Sequence, residues 1–380
     1  MQIERLGKDD YQECIDFINM VFSMSSGPTN FPELLPAYYQ ETEASMQCHY
    51  VLREHGAIKA LVGLYPGTVR IGRETLRLAR IGAVSTHPYS QGKGYMKTLM
   101  NHCMSVVRTE FDISHLGGLR QRYLYFGYEK CGYVPVFTLN RHNLRHNELA
   151  AEVVLEEVSQ GDPALMDVLK TIHDDQPIRG ERSLAAFYRI CRNWSNRLFL
   201  ARVADDIVGY AVVEAEFKGI SELIATRSEF ALGIAQAVLQ RSGGQSLAVT
   251  LNPAACDDIR LFGAFAEDVR VDHGGNWQIV NWQKTLSALA KVKNQNLPLP
   301  NGEVILDITD TACLCLRVAD GNVSVTETKQ PADLSGSPSQ MARLLFGPLQ
   351  PGMVDSLPAH SGLLQAWLPL PLYLPQQDHA

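Results

Sequence analysis

Between residues 81 and 107 the hydrophobic period of the chain changes once, across a pair of glycines. Residues 81–86, Ile-Gly-Ala-Val-Ser-Thr, are short, apolar and partly β-branched, the pattern of a buried strand, and Pro88, Tyr89 and Ser90 end it. Beyond the loop, Met96, Leu99, Met100, Cys103 and Val107 recur at steps of three and four. That spacing predicts a helix with one buried face whose N-terminus lies inside the glycine loop.

The rest of the chain reads as two cycles of such elements followed by a unit of different pattern. A strand at 2–6 is followed by an amphipathic helix at 9–22, with Cys14, Ile15, Ile18 and Phe22 inward, and by a shorter helix over 32–39 that starts on Pro32. Alternating runs at 49–54, 57–65 and 76–86 predict an antiparallel meander feeding the glycine loop. A strand at 111–116, a short helix from Arg120 that ends at Gly132, and a strand at 133–140 close the first unit. After a polar stretch at 145–152 the order repeats: strand 153–158, helices 163–173 and 184–194, strands 198–203, 207–214 and 220–225, helix 230–240, strand 246–251. From Trp282 the pattern changes to a helix at 286–292, strands at 304–308, 313–318 and 323–326, and a helix at 337–346. The expected domains are therefore 1–150, 151–281 and 282–380.

Composition narrows the function. A length of 380 residues suits two or three domains, and 46% hydrophobic content supplies their cores. The formal charge of −7, without a basic run long enough to neutralise phosphates, argues against nucleic acid and suits a cationic substrate. The N-terminal MQIERLGKDDYQ has no signal-peptide pattern, no run approaches membrane-spanning length, and the eight cysteines lack a Cys-x-x-Cys pair. The expectation is a cytoplasmic protein with reduced core cysteines, Cys313 and Cys315 among them, and no membrane partner. The histidines are dispersed without ligand spacing, so no metal site is expected.

The glycine loop carries the candidate chemistry. First-turn amides lack intrahelical acceptors and the helix dipole adds partial positive charge there. Gly92 and Gly94 let the backbone close around phosphate oxygens and Lys93 adds charge nearby, which points to a diphosphate. A plain turn needing glycines is the alternative. The dinucleotide fingerprint is excluded because no third glycine follows around Thr98, and the Walker loop because no Gly-Lys-Ser/Thr closes it.

Gln91, Gly94 and Met96 in this context resemble the pyrophosphate loop of the GNAT N-acetyltransferases, Arg/Gln-x-x-Gly-x-Gly/Ala. Met96 in place of the last small residue resembles the enhanced-intracellular-survival (Eis-like) group. The resemblance implies an α/β (α+β) architecture: tandem GNAT folds followed by a sterol-carrier-protein-like α+β domain that includes Gln340-Met341-Ala342-Arg343. It implies acetyl-CoA as cosubstrate, with the backbone of Val84 and Thr86 holding the pantetheine arm and the amides of Gln91, Gly92, Lys93, Gly94 and Tyr95 holding the diphosphate. In the second cycle the equivalent loop reads Thr226-Arg227-Ser228-Glu229, with no glycine pair and a carboxylate at the helix start. That copy is expected not to bind coenzyme.

The family's acid is a tyrosine in Tyr-Gly-Arg-Phe-Gly-Tyr. The run here is Tyr123-Leu124-Tyr125-Phe126-Gly127-Tyr128, so the role falls on Tyr123, with Tyr125 as fallback, while Leu124 and Tyr125 depart from the pattern. The resemblance also assigns a C-terminal carboxylate as base, Ala380 or otherwise Asp378, although Ala380 replaces the usual bulky terminal residue. His87 and His115 lie near the expected cleft without an assigned role. The implied reaction is direct transfer of an acetyl group to a small-molecule or peptide primary amine, with no acetyl-enzyme and with a homo-oligomer, a hexamer in relatives, as the assembly. The alternative is an acyl-CoA- or lipid-binding regulatory protein without turnover, which release of free thiol from acetyl-CoA would separate from an enzyme.

Overall fold

The computed structural model describes residues 2–144, 152–357 and 362–380. The domain boundary expected at 150/151 lies outside the described residues. The first unit runs β1 (Ile3–Arg5), α1 (Tyr11–Ser26), α2 (Phe31–Leu34), α3 (Glu43–Met46), β2 (His49–Glu54), β3 (Ala57–Ile71), β4 (Glu74–Thr86), α4 (Tyr95–Glu110), β5 (Ile113–Leu116), α5 (Arg120–Leu124), β6 (Glu129–Lys130) and β7 (Tyr133–Asn140). The helix expected over 32–39 stops at Leu34, because Pro36 disfavours helical backbone at Leu35, which leaves the helical region at φ −133° and ψ 62°. The helix expected from Arg120 to Gly132 stops at Leu124. Gly127, at φ +90°, turns the chain and β6 follows.

After α6 (Arg141–Leu144) come β8 (Val154–Glu157), α7 (Pro163–Asp174), β9 (Ile178–Gly180), α8 (Leu184–Cys191), β10 (Arg197–Val203), β11 (Asp206–Val213), β12 (Gly219–Ala225), α9 (Ser228–Ser242) and β13 (Ser246–Thr250). The short α6 and β9 were not anticipated, nor were three further elements: α10 (Cys256–Phe265), β14 (Asp268–His273) and β15 (Asn276–Ile279). Every residue of β14 is exposed, although Val269 and Val271 alternate with charged residues over this short run.

The sheets pair across the two units. The first is ordered β1-β2-β3-β4-β5-β15-β6 and the second β14-β7-β13-β12-β11-β10-β8, with β4 and β5 parallel in one and β12 and β13 parallel in the other. Strand β7 was expected to close the first unit, but it pairs with β13 and β14 in the second, while β15 enters the first sheet between β5 and β6. The first half thus gives β7 to the second sheet, and the second half gives β15, and β9 against β3, to the first. Edge selection explains why this was not legible: 133–140 has the alternation of a strand, and alternation does not say which of two similar sheets offers the free edge.

Around the first sheet, α4 buries Leu99, Met100, Cys103, Met104 and Val107 against one face and α1 buries Cys14, Ile15, Phe17 and Ile18 against the other. Each such fully buried side chain contributes about 1.5–3 kcal/mol of transfer free energy. The third unit, α11 (Trp282–Asn296), β16 (Gly302–Ile308), β17 (Ala312–Ala319), β18 (Asn322–Glu327), β19 (Leu334–Gly336) and α12 (Pro338–Phe346), forms a sheet ordered β18-β17-β16-β19. Its core is continuous with that of the first unit through Leu78, Trp277, Trp282, Leu289 and Phe346. No helix among the described residues is long and apolar enough to cross a membrane.

The chain crosses between the sheets at Gly132, whose φ is +74° and where an added Cβ would lie 2.5 Å from the Leu372 carbonyl oxygen. Gly132→Ala should therefore destabilise the protein by about 2 kcal/mol or more, read as a lower denaturant midpoint. An unchanged midpoint would refute the close approach.

Candidate active site

Strand β4 is paired to β5 only over Leu78–Ile81, against Ile113–Leu116. Past Ile81 it continues to Thr86 with β3 on one side, and among the described residues no strand pairs with its other edge. A bulge accompanies the parting: Leu61 faces Ser85 and Gly63 faces Gly82, so Ala83 and Val84 together oppose Val62, and Ala83 takes φ +49°. The two strands open into a wedge with free backbone groups on β4.

At the end of β4, a short turn over Pro88–Ser90 leads into the glycine loop. Gly92 and Gly94 have φ of +79° and +80°, and Gly94 is the left-handed N-cap of α4. Nothing lies within 4 Å of a Cβ added at either, so the loop stands open above its glycines. The amides of Gln91 and Lys93 turn inward, to the carbonyls of Pro88 at 3.3 Å and Ser90 at 3.4 Å. The amides of Tyr95, Met96 and Lys97 belong to the first turn of α4, which has no carbonyls of its own to offer them.

A cleft of about 850 Å³ joins the wedge to the loop. Val84, Ser85, Thr86, Gln91, Gly92, Gly94, Tyr95 and Met96 line it, together with the end of α1 from Val21 to Ser25. Six of the seven expected coenzyme contacts thus share one cleft. Lys93 is the exception in its side chain, which pairs with Glu54 at 3.2 Å; the cations lining the cleft are Lys97 and Arg122, which the sequence reading did not single out. The signal was available for Lys97, which lies three residues after Gly94 and so in the first turn of α4. A coenzyme fits this cradle on two observations: the open space over Gly92 and Gly94, and the buried Ser85 hydroxyl, which has no hydrogen-bond partner among the described residues.

Tyr123 sits on α5, buried among Leu99, Met100, Leu116 and Phe126, with its ring 3.0 Å from where a Cβ on Gly118 would stand. Burial pushes its phenol above the ordinary tyrosine value, against a smaller pull from Arg122, so it carries its proton at neutral pH. Tyr125, the fallback, is 65% exposed under the Lys97 ammonium, 4.5 Å from its ring centre. His115 is buried in a stack with His379 and bonded to the Gly274 carbonyl, and His87 caps the turn after β4.

The tail is anchored rather than frayed. The Tyr38 hydroxyl donates to the Asp378 carbonyl, Asn193 to that of Gln377 and the Trp194 indole to that of Gln376. Ala380 ends against β4, its carbonyl carbon 2.8 Å from where a Cβ on Gly82 would lie. Asp378 is corrected as a candidate base. Its buried carboxylate is locked to Arg182 at 2.8 Å, and despite the opposing effect of burial that guanidinium holds it below the usual carboxylate range, which makes it a poor proton acceptor.

Residues 2–133 match the family described as acetyltransferase (GNAT) domain. Residues 2–133 form a GNAT domain. The match ends at Tyr133, where the chain leaves the first sheet for the second. No curated protein matches the sequence. Among solved structures, a GCN5-related N-acetyltransferase from Anabaena variabilis is similar at 17% identity and TM-score 0.70, over 98% of each chain. A probable N-acyltransferase from Enterococcus faecalis is similar at 16% identity and TM-score 0.69, over 100% of this chain and 99% of that one. Eis1 from Mycobacterium abscessus is similar at 12% identity and TM-score 0.68, over 100% of each. These likenesses extend the shared fold from the GNAT domain to the full length, Eis1 among the structures that share it. The acetyltransferase (GNAT) domain at residues 2–133 supports acyl transfer as the chemistry.

In the second half the equivalent turn, Thr226-Arg227-Ser228-Glu229, is built without a glycine pair. Helix α9 starts at Ser228 after Arg227 in extended backbone, and Glu229 in the first turn pairs with Arg227 at 3.1 Å.

Because the space over Gly92 is open, Gly92→Val should raise the KM for acetyl-CoA about tenfold, some 1.4 kcal/mol, with the fold kept as judged by thermal unfolding. Steady-state kinetics showing an unchanged KM would remove the loop from coenzyme binding.

Proposed function

We propose that this GNAT protein is an acetyl-CoA-dependent N-acetyltransferase that acetylates a primary amine by direct transfer. The observation that carries the reading is the single cleft running from the unpaired edge of β4 to the glycine loop of α4. Acetyl-CoA, when bound, supplies an acetyl thioester. The backbone of Val84 and Thr86 would hold its arm, and the first-turn amides of α4 with Gly92 and Gly94 its diphosphate.

The acceptor must lose a proton before it attacks. For an amine with a lysine-like pKa near 10.4, neutralisation at pH 7 costs about 4–5 kcal/mol. The Ala380 carboxylate, seated beside Gly82, takes that proton, and the protonated Tyr123 phenol gives one to the leaving sulfur. Holding both partners in the wedge contributes the remaining acceleration. The formal charge of −7 favours a cationic acceptor from the small-molecule or peptide amines. The reading extends to a cytoplasmic site, supported by eight free cysteines, and to a homo-oligomer, supported by Val269 and Val271 exposed on β14 at the end of its sheet. The third unit, helices against a four-stranded sheet, is assigned as the sterol-carrier-like module on its α+β pattern.

The test is release of free thiol from acetyl-CoA across polyamines, aminoglycosides and lysine peptides. Acceptor-dependent thiol is expected with at least one class, and Tyr123→Phe should lower kcat by about 10²-fold. No acceptor-dependent thiol with any of them would favour a binding protein without turnover. Extending the chain by one residue beyond Ala380 should also lower kcat while sparing the KM for acetyl-CoA; unchanged turnover would take Ala380 out of the mechanism.

A further inference from the structure

The tail reaches β4 of the first unit, but most of what grips it belongs to the second. Arg182, fully buried, lies between two carboxylates. It donates to Glu222 of β12 through both terminal nitrogens, at 2.8 and 2.6 Å, and to Asp378 through Nη2 at 2.8 Å and Nε at 3.2 Å. The Tyr210 hydroxyl donates to Glu222 at 2.7 Å and fixes that carboxylate in turn. Gly180 of β9 presses against the other side: an added Cβ would stand 2.6 Å from the Asp378 carboxyl carbon. A planar guanidinium with a carboxylate on each edge permits few orientations, so the position of Asp378 is set by Arg182.

From Asp378 the constraint passes to the first unit. The Asp378 carbonyl accepts from the Tyr38 hydroxyl at 2.9 Å and from Arg80 at 3.3 Å, and Arg80 itself stands on β4. Two residues later Ala380 lies against Gly82, also on β4. In the repeat of the fold, β12 occupies in the second sheet the place of β4 in the first, each being the strand that runs parallel to its neighbour. The half without a glycine loop therefore uses its equivalent strand to hold the tail.

We infer that Arg182 is a positioning residue of the transfer reaction, which through its ion pair with Asp378 seats Ala380 at the β4 bulge. The inference rests on the proposed role of Ala380. It assigns a task to the second unit, whose contribution is a buried charge clamp in place of a second coenzyme site.

The experiment uses the full chain with Asp378→Asn, which keeps the size of the side chain and removes its charge. Hydrogen exchange at residues 376–380 should rise while that of β4 and α4 stays at the level of the unaltered protein. The kcat should fall at least tenfold with the KM for acetyl-CoA within twofold. If Asp378→Asn does not fold, Arg182→Lys, which keeps the charge but not the fork, is measured in the same way. A tail that stays protected with kcat unchanged overturns the role of Arg182 and leaves that of Ala380 standing. A tail that loosens with kcat unchanged overturns the role of Ala380 itself, and the positioning role with it. A general rise in exchange with parallel losses in kcat and coenzyme binding marks Arg182 as a fold residue only and also overturns the inference.

Discussion

The parting of β4 from β5 after Ile81 is the constraint on which the site depends. Parallel pairing consumes the backbone groups of both strands, so a ligand arm can bond to a strand in mid-sheet only where a neighbour has been removed. The bulge at Ala83 and Val84 bends β4 at this place, and the glycine loop follows within a few residues. The wedge, the buried Ser85 hydroxyl and the open first turn of α4 are thereby aligned along one cleft.

Strand exchange gives the wedge a rigid frame. With β15 filling the first sheet beside β5, and β7 filling the second, neither unit keeps a complete sheet of its own. The third unit adds to the same apolar core, and the tail runs from it across the second unit to β4. The tail, far away in the chain, thus ends against Gly82, two residues before the Val84–Thr86 edge of the same strand.

Much of this was legible in the sequence because it is local. The glycine loop, the buried face of α4 and the strands of the meander follow from periodicity and turn chemistry over windows of a few residues, and the cleft lies where the loop placed it. Non-local features were not legible. The exchange of β7 and β15 depends on which sheet edge is free. The pairing of Lys93 with Glu54 depends on a neighbouring strand, and the clamp on Asp378 depends on Arg182, which is 196 positions away and has no spacing to mark it. Asp378 and Ala380 read alike as acids at the end of a polar tail; burial against a guanidinium separates them.

The central claim is that the cleft between the β4 edge and the α4 loop receives the coenzyme. Hydrogen exchange with and without coenzyme A tests it most directly, read at the amides of residues 92–97. The account predicts slower exchange there on binding, with the equivalent turn of the second unit at residues 226–231 unchanged. Coenzyme A binding without protection at residues 92–97, or with protection at 226–231 instead, would contradict it.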